Sequence, residues 1–261
     1  MEQISQNPAL SERERKILDI ALYAGEKLME SGAETNRVED TVSRILSLAN
    51  PQSVHVVALL TGLYVSFTTE EGEIITAVRR IFDRRVDLDN IQIVNATSRR
   101  LAEGDINPDQ ARQILKEREH KTASYAPWWF IGLSGAGFTM MLQGGILEII
   151  IAGLCSLFSC LTGRILIDQR SDGFVPPFLN AFIIVLFIGI FHRFLSFDLA
   201  SASIGSLISF FPGTTFTNGI RDTMRGNFLT AAGNLLSALI TAMALAVGAG
   251  FALLLTGGSF F

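Results

Sequence analysis

Pro212-Gly213-Thr214-Thr215-Phe216-Thr217-Asn218-Gly219-Ile220-Arg221-Asp222 is a polar island between two apolar runs, Leu199–Phe211 before it and Phe228–Leu255 after it. The run before it spans only ~20 Å as a helix, too short for a bilayer core of ~30 Å. It stops at Pro212, which lacks a backbone donor, and Gly213, which tolerates unusual dihedrals. A helix interrupted at membrane depth is tolerated only where its freed backbone groups line a polar cavity or are buried in protein. A helix starting at such a break points its first N–H groups at anionic groups such as carboxylates. Pro212, Gly213, Thr217, Asn218, Arg221 and Asp222 are therefore candidate substrate-binding residues. The competing reading of the same stretch is a cytoplasmic loop carrying an amphipathic helix.

Outward from the island, charge divides the chain. Of its 46 charged residues only ten lie beyond Tyr125: Glu148, Arg164, Asp168, Arg170, Asp172, Arg193, Asp198, Arg221, Asp222 and Arg225. The apolar half holds five expected membrane segments, about 126–143, 146–167, 178–194, 199–211 and 228–255. Pro127-Trp128-Trp129 opens the first, an aromatic pair suited to the headgroup region. Basic residues Arg112, Lys116, Arg118 and Lys121 precede it and place the N-terminus in the cytoplasm. Alternation then puts Arg164, Arg170, Arg221 and Arg225 inside, and Arg193 and the C-terminus outside. The expected architecture is an α-helical membrane bundle of about five transmembrane helices, one broken, behind an N-terminal cytoplasmic α+β domain, with residues 1–125 and 126–261 as the two domains. The expected location is the inner (plasma) membrane, multi-pass, in contact with lipid. The polar first residues lack the apolar core of a cleaved signal peptide.

The first 125 residues read as helices, then strands, then helices. Ser11 and Glu14 have capping-box spacing, and Ile17, Ile20, Ala21, Ala24 and Leu28 follow at helical period up to Gly32. A second helix is expected over about Glu34–Ala49, ended by Asn50-Pro51. Strands are expected over Val54–Leu60, Leu63–Thr68 and Glu73–Ile81, with a turn at Glu70-Glu71-Gly72. Helices over Leu88–Glu103 and Pro108–Lys121 close the domain.

Several function classes lack residues to support them. His55 has no nucleophile or carboxylate at a revealing spacing, so no catalytic site and no enzyme are expected. Cys155 and Cys160 are five apart in one apolar segment, which suits neither a disulfide framework nor a metal site. The paired arginines at 79–80, 84–85 and 99–100 sit among charges of both signs in a domain of net charge −4, which argues for a solvated charged face or contact with anionic headgroups rather than nucleic acid. There is no phosphate loop and no implied cofactor. Glu148, near the outer end of the second segment, is a candidate ion-coupling carboxylate, or a helix-start charge favoured by the dipole. Rows of small residues, Ala238-Ala242-Ala246-Gly250 and Ser201-Gly205-Ser209, offer surfaces for close helix packing.

Two motifs carry a family resemblance. Ser31-Gly32-Ala33-Glu34-Thr35-Asn36-Arg37-Val38-Glu39-Asp40 resembles the N-terminal signature of the threonine/serine exporter family. Pro212-Gly213-x-x-x-Thr217-Asn218-x-Ile220-Arg221-Asp222, with Gly226 beyond, resembles its second. The likeness marks Ser31, Gly32, Glu34, Thr35, Arg37 and Glu39 as motif residues. It also sets Glu148 where relatives carry an acidic residue after a glycine pair. Phe216 departs from the pattern, which has proline or a small apolar residue there. The single five-span set resembles the split form of the family, in which a shorter membrane subunit supplies the complementary spans, as in the bacterial two-subunit succinate exporter.

The resemblance implies a subunit of a secondary exporter for small polar organic acids, threonine and serine or dicarboxylates such as succinate. A second small membrane subunit or a homo-oligomer would complete the path, because an odd number of spans suits an inverted repeat. The competing class is a membrane-anchored regulatory or scaffold protein with a sensing domain, for which a polar break serves no purpose.

Overall fold

The computed structural model describes residues 10–82, 84, 86–120, 129–166 and 173–257. Trp128 of the aromatic pair, Arg170, the expected boundary at Tyr125 and the last four residues lie outside these. Contacts divide the chain into two units, Met1–Ser124 with Asn218–Gly233, and Tyr125–Thr217 with Asn234–Phe261. Residues 218–233 thus keep company with the N-terminal sequence rather than with the apolar half that surrounds them.

In the first unit, α1 (Glu12–Glu30) begins at the capping box: Ser11 Oγ accepts from Glu14 N at 3.3 Å, and Ser11 N donates to Glu14 Oε2 at 2.9 Å. Helix α2 (Thr35–Leu46) runs into a 3₁₀ turn, Ser47–Ala49, ended by Asn50 in the left-handed region at φ 50°. Strands β1 (Ser53–Leu59), β2 (Gly62–Thr68) and β3 (Ile74–Arg80) form an antiparallel sheet in sequential order. Val56 faces Val65, which faces Ala77, and the period of two turns Ala58, Leu63, Val65, Phe67, Ile75 and Ala77 inward. Helix α3 (Leu88–Ala102) is capped by Asp87, whose Oδ1 accepts from Asn90 N at 2.9 Å, and α4 (Pro108–His120) opens on proline. These elements enclose one core of large side chains, with Ile17, Leu18, Leu22, Val38, Val42, Leu63 and Phe67 fully buried. Each such burial contributes roughly 1.5–3 kcal/mol.

The second unit holds α5 (Trp129–Met141), α6 (Ile146–Leu166), α7 (Val175–His192) and α8 (Leu199–Ile208), together with the start of α9 (Gly213–Met224) and most of α10 (Phe228–Thr256). Among the described residues, α7 and α10 are long and apolar enough to cross a membrane. The bent pair α8 and α9, 62° apart across the break, brings the count to three, while α5 and the described part of α6 are shorter apolar helices. Five crossings are thus not all met by length. Helix α7 starts earlier than the apolar run suggests, because Pro176 and Pro177 fall in its first turn, where the missing N–H groups cost nothing.

Small residues bring these helices together. A Cβ on Gly205 would lie 2.6 Å from the backbone N of Thr139, so α8 meets α5 there, and Ser209 bonds Ser134 at 2.8 Å. Gly132 and Gly153 make the same approach between α5 and α6. On α10 the buried row is Ala244, Gly248, Ala252 and Thr256, with Gly248 against the carbonyl of Phe178. Of the row Ala238-Ala242-Ala246-Gly250, Ala238 is buried within the chain, whereas Ala246 is exposed and Gly250 has open space beside it, so the C-terminal half of that row does not pack within the chain. Ser201 does not extend the α8 row either, since it donates to Asp198 at the helix cap.

Candidate functional site

The two motifs meet inside the first unit, and both are shaped by a helix stop. After α1, Gly32 N donates to Met29 O at 3.1 Å and Ala33 N to Leu28 O at 3.0 Å, the double bond of a Schellman ending. After α9, Gly226 N donates to Thr223 O at 3.1 Å and Asn227 N to Asp222 O at 2.9 Å in the same pattern. Gly32 at φ 74° and Gly226 at φ 81° hold the left-handed conformation that such an ending needs. Each turn frees polar groups that the other segment uses.

Asn218, Arg221 and Arg225 recur at i, i+3 and i+7 and so share one face of α9 and its C-cap. Asn218 Nδ2 donates to Gly32 O at 3.2 Å. Arg221 Nη1 donates to Glu34 Oε2 at 2.5 Å, and Arg225 Nη1 lies 3.5 Å from Glu34 Oε1. Arg37 Nε adds a third guanidinium, 3.8 Å from the same oxygen. Asn227 Nδ2 donates to Asn36 Oδ1 at 2.7 Å. Burial pushes the Glu34 carboxyl up, but the Arg221 hydrogen bond and the charges of Arg221, Arg225 and Arg37 outweigh it and hold it below the usual range. One carboxylate among three guanidiniums leaves a surplus of positive charge, and all three arginines remain partly exposed.

The other motif residues serve different faces. Ser31 is buried, and its Oγ accepts from Asn90 Nδ2 at 2.7 Å, tying the α1 turn to α3. Thr35 is buried in the first turn of α2. Glu39 Oε1 accepts from Ala58 N at 3.0 Å on strand β1. Burial raises its carboxyl, the Ala58 bond opposes that, and the charges of Asp40 and Asp222 add to the rise. Asp222 is buried at 2 % exposure, whereas Arg221 is exposed. The neighbours Arg221 and Asp222 thus have separate surroundings, as adjacent helix positions must.

At the break itself the backbone turns over Ser209–Pro212, and α9 starts at Gly213 with Phe216 N donating to Pro212 O at 2.9 Å. The polar island is therefore largely helical. Thr217 is exposed, and its hydroxyl donates to Gly213 O at 2.8 Å, within its own helix. Glu148 lies in the second unit, where its Oε1 accepts from Asp198 N at 2.9 Å beside the start of α8. Among the described residues no group of His, Cys, Asp and Glu could hold a metal ion, and Cys155 and Cys160 are free thiols.

Sequence reasoning brought Glu34, Asn218 and Arg221 into view but not as partners, and it missed Arg225, Asn36 and Asn227. The i, i+3, i+7 spacing of Asn218, Arg221 and Arg225 was the available signal. No curated protein and no solved structure matches the chain significantly. Residues 19–256, which include both motifs, match the sequence profile of threonine/serine exporters, and the chain belongs to the threonine/serine exporter family.

Proposed function

We propose that the chain is the larger membrane component of a secondary exporter that moves small polar organic acids, threonine, serine or a dicarboxylate such as succinate, out of the cell. The observation that carries this reading is the joint between the two motifs: Arg221 of the helix after the break is held by Glu34, with Arg225 and Arg37 beside it. Glu34 occupies only part of Arg221, and a guanidinium fork suits a second carboxylate. A solute carboxylate arriving at Arg221 competes with Glu34, which loosens α9 from the α1–α2 turn. Substrate binding and movement of the broken segment are then one event. Pro212, Gly213 and Thr217 supply the hinge, and Asn218 and Asp222 fix the helix on either side of the arginine.

In this reading the chain crosses the inner membrane five times, counting the shorter apolar helices α5 and α6 and the bent pair. The N-terminal segment lies in the cytoplasm and the C-terminus outside. Attachment of residues 218–233 to the N-terminal unit supports placing both on one side. A second small membrane subunit, or a second copy, completes the path. An ion gradient drives the cycle, with Glu148 as the coupling carboxylate.

The test is efflux of labelled threonine, serine and succinate from cells lacking the chain and its neighbouring subunit, with both restored. Restoration should lower the internal pool of at least one acid. Arg221→Gln should cut efflux at least about tenfold, the loss expected when a charged hydrogen bond is removed. The exchange Glu34→Arg with Arg221→Glu should recover part of the attachment but not the efflux. Unchanged pools for all three acids would overturn the proposal.

A further inference from the structure

The Glu34 joint carries more positive charge than its carboxylate neutralises. Lys27, Arg79 and Arg112 each face a carboxylate of their own, whereas Arg37, Arg221 and Arg225 share Glu34. Arg221 takes the one close bond. Arg37 Nε and Arg225 Nη1 stand 3.8 Å and 3.5 Å from Glu34 Oε1, beyond the ~3.2 Å of a good hydrogen bond. Among the described residues neither guanidinium has another acceptor, and their side chains are 46 % and 41 % exposed. Large apolar side chains adjoin them. Met224 precedes Arg225, and Phe228 and Leu229 open α10 just beyond the Gly226 turn, at 83 %, 68 % and 71 % exposure. Helix α10 has 29 residues, a length of ~43 Å against a bilayer core of ~30 Å. Its polar residues Thr230 and Asn234 fall in the first two turns, so the excess length lies at the arginine end.

We propose that Arg37 and Arg225 hold the phosphate of an anionic phospholipid whose acyl chains run along Met224, Phe228 and Leu229 at the start of α10. Both nitrogens lie within 3.8 Å of one carboxylate oxygen, so they are no more than about 8 Å apart. One phosphate with a charge-assisted bond of ~2.8 Å on each side closes that gap. Its charge offsets the repulsion among three guanidiniums that a single carboxylate leaves, and the first turn of α10 adds its own positive end. The apolar neighbours choose the source of the phosphate. Met224, Phe228 and Leu229 are costly to hold in water and favourable in hydrocarbon, which suits a lipid and not a free phosphate or a phosphorylated peptide. A zwitterionic headgroup brings a cation of its own to the arginines, so an anionic one is preferred. Basic residues directly before a membrane helix gain from an anionic leaflet, whose potential fades within a Debye length.

The inference rests on α10 crossing the membrane, for which it is long and apolar enough, and not on export. Arg221 stays with Glu34, so lipid and solute take different guanidiniums. The experiment is native mass spectrometry of the full chain in nonionic detergent, titrated with phosphatidylglycerol, phosphatidylcholine or glycerol 3-phosphate. Phosphatidylglycerol should be retained at least about tenfold more tightly than either of the others. Arg37→Gln with Arg225→Gln should lose that factor, whereas Arg99→Gln with Arg100→Gln, a basic pair elsewhere in the same unit, should keep it. Two further variants leave the charges of the joint in place. Arg37→Lys with Arg225→Lys, which keeps charge without the fork, should lose a few-fold, and so should Phe228→Ser with Leu229→Ser. Equal retention of the two lipids would overturn the assignment, as would a preference unchanged in both of these conservative variants. Glycerol 3-phosphate binding as tightly as phosphatidylglycerol would make this a free-anion site and overturn it too. Efflux that is absent while the lipid preference holds would sink the transport reading alone.

Discussion

The two units bury themselves with opposite materials. The first keeps large aliphatic and aromatic side chains inside, Leu18, Leu22, Val42, Leu63 and Phe67 among them, and spreads most of its charges outside, with Glu14 and Asp222 buried. The second closes on Gly132, Gly135, Gly205, Gly248 and Ala252 and turns Leu133, Met140, Leu154, Phe158, Leu236 and Phe251 outward. The difference follows from the solvent each expects. Water drives large apolar groups together, so size inside is stabilising. Hydrocarbon gives no such drive, so close backbone approach and dispersion must do the work, and small residues permit it.

The sharpest way to break the comparison is to exchange the rules. In the first unit Leu22→Ala should open a cavity among α1, α2 and the sheet and cost about 2–5 kcal/mol, read as a fall in thermal unfolding of the purified chain. In the second unit the damaging direction is reversed. Gly205→Leu would drive a side chain into the Thr139 backbone, which cannot give, at a cost of about 1–3 kcal/mol or more. Gly250→Ala, in open space on α10, should instead gain up to about 1 kcal/mol from helix propensity. Equal losses at Gly205 and Gly250 would mean that the register of α10 is wrong.

How much of this was legible depended on the range of the interaction. The Ser11–Glu14 capping box and the three strands are local patterns realised within a residue or two, and the helix before Pro212 ends at Ile208, three residues short of the expected Phe211. The period of the small residues on α10 was legible but not which row packs within the chain, because alanines are so frequent there that two rows fit. The Glu34–Arg221 contact joins residues 187 apart in sequence, and nothing in either segment alone names the other.

That joint gives an intermediate prediction. Glu34→Ala leaves Arg221, Arg225 and Arg37 facing each other, so the variant should lose roughly 1–2 kcal/mol through a missing charge-assisted bond and gain salt sensitivity. Asn218→Ala, which removes a single neutral bond to Gly32 O, should lose about half as much. Limited proteolysis after Gly226 would report the same order, since a loosened α9 exposes its C-terminal turn. A larger loss in Asn218→Ala than in Glu34→Ala would show that the turn, not the charge, holds the two motifs together.

The smallest effect separates two carboxylates five residues apart, Glu34 at the N-cap of α2 and Glu39 within it. Glu34 is held below its ordinary value of 4.5, so its contribution is present above that value and disappears as pH falls through the lower folded value. Glu39 is raised above 4.5, chiefly by burial, so its contribution is present below that value and disappears as pH rises through the higher folded value. Neutral replacements should therefore move in opposite directions at pH 7. Glu34→Gln unfolds at lower temperature than the wild type. Glu39→Gln, whose amide oxygen still accepts from Ala58 N, unfolds at the same temperature or higher. Both differences should shrink as pH falls, the Glu39 difference first and the Glu34 difference at lower pH. Unfolding midpoints of the three proteins between pH 4 and pH 8 decide it, and a Glu39→Gln variant clearly less stable than the wild type at pH 7 would place that carboxylate among compensating partners rather than beside Asp40 and Asp222.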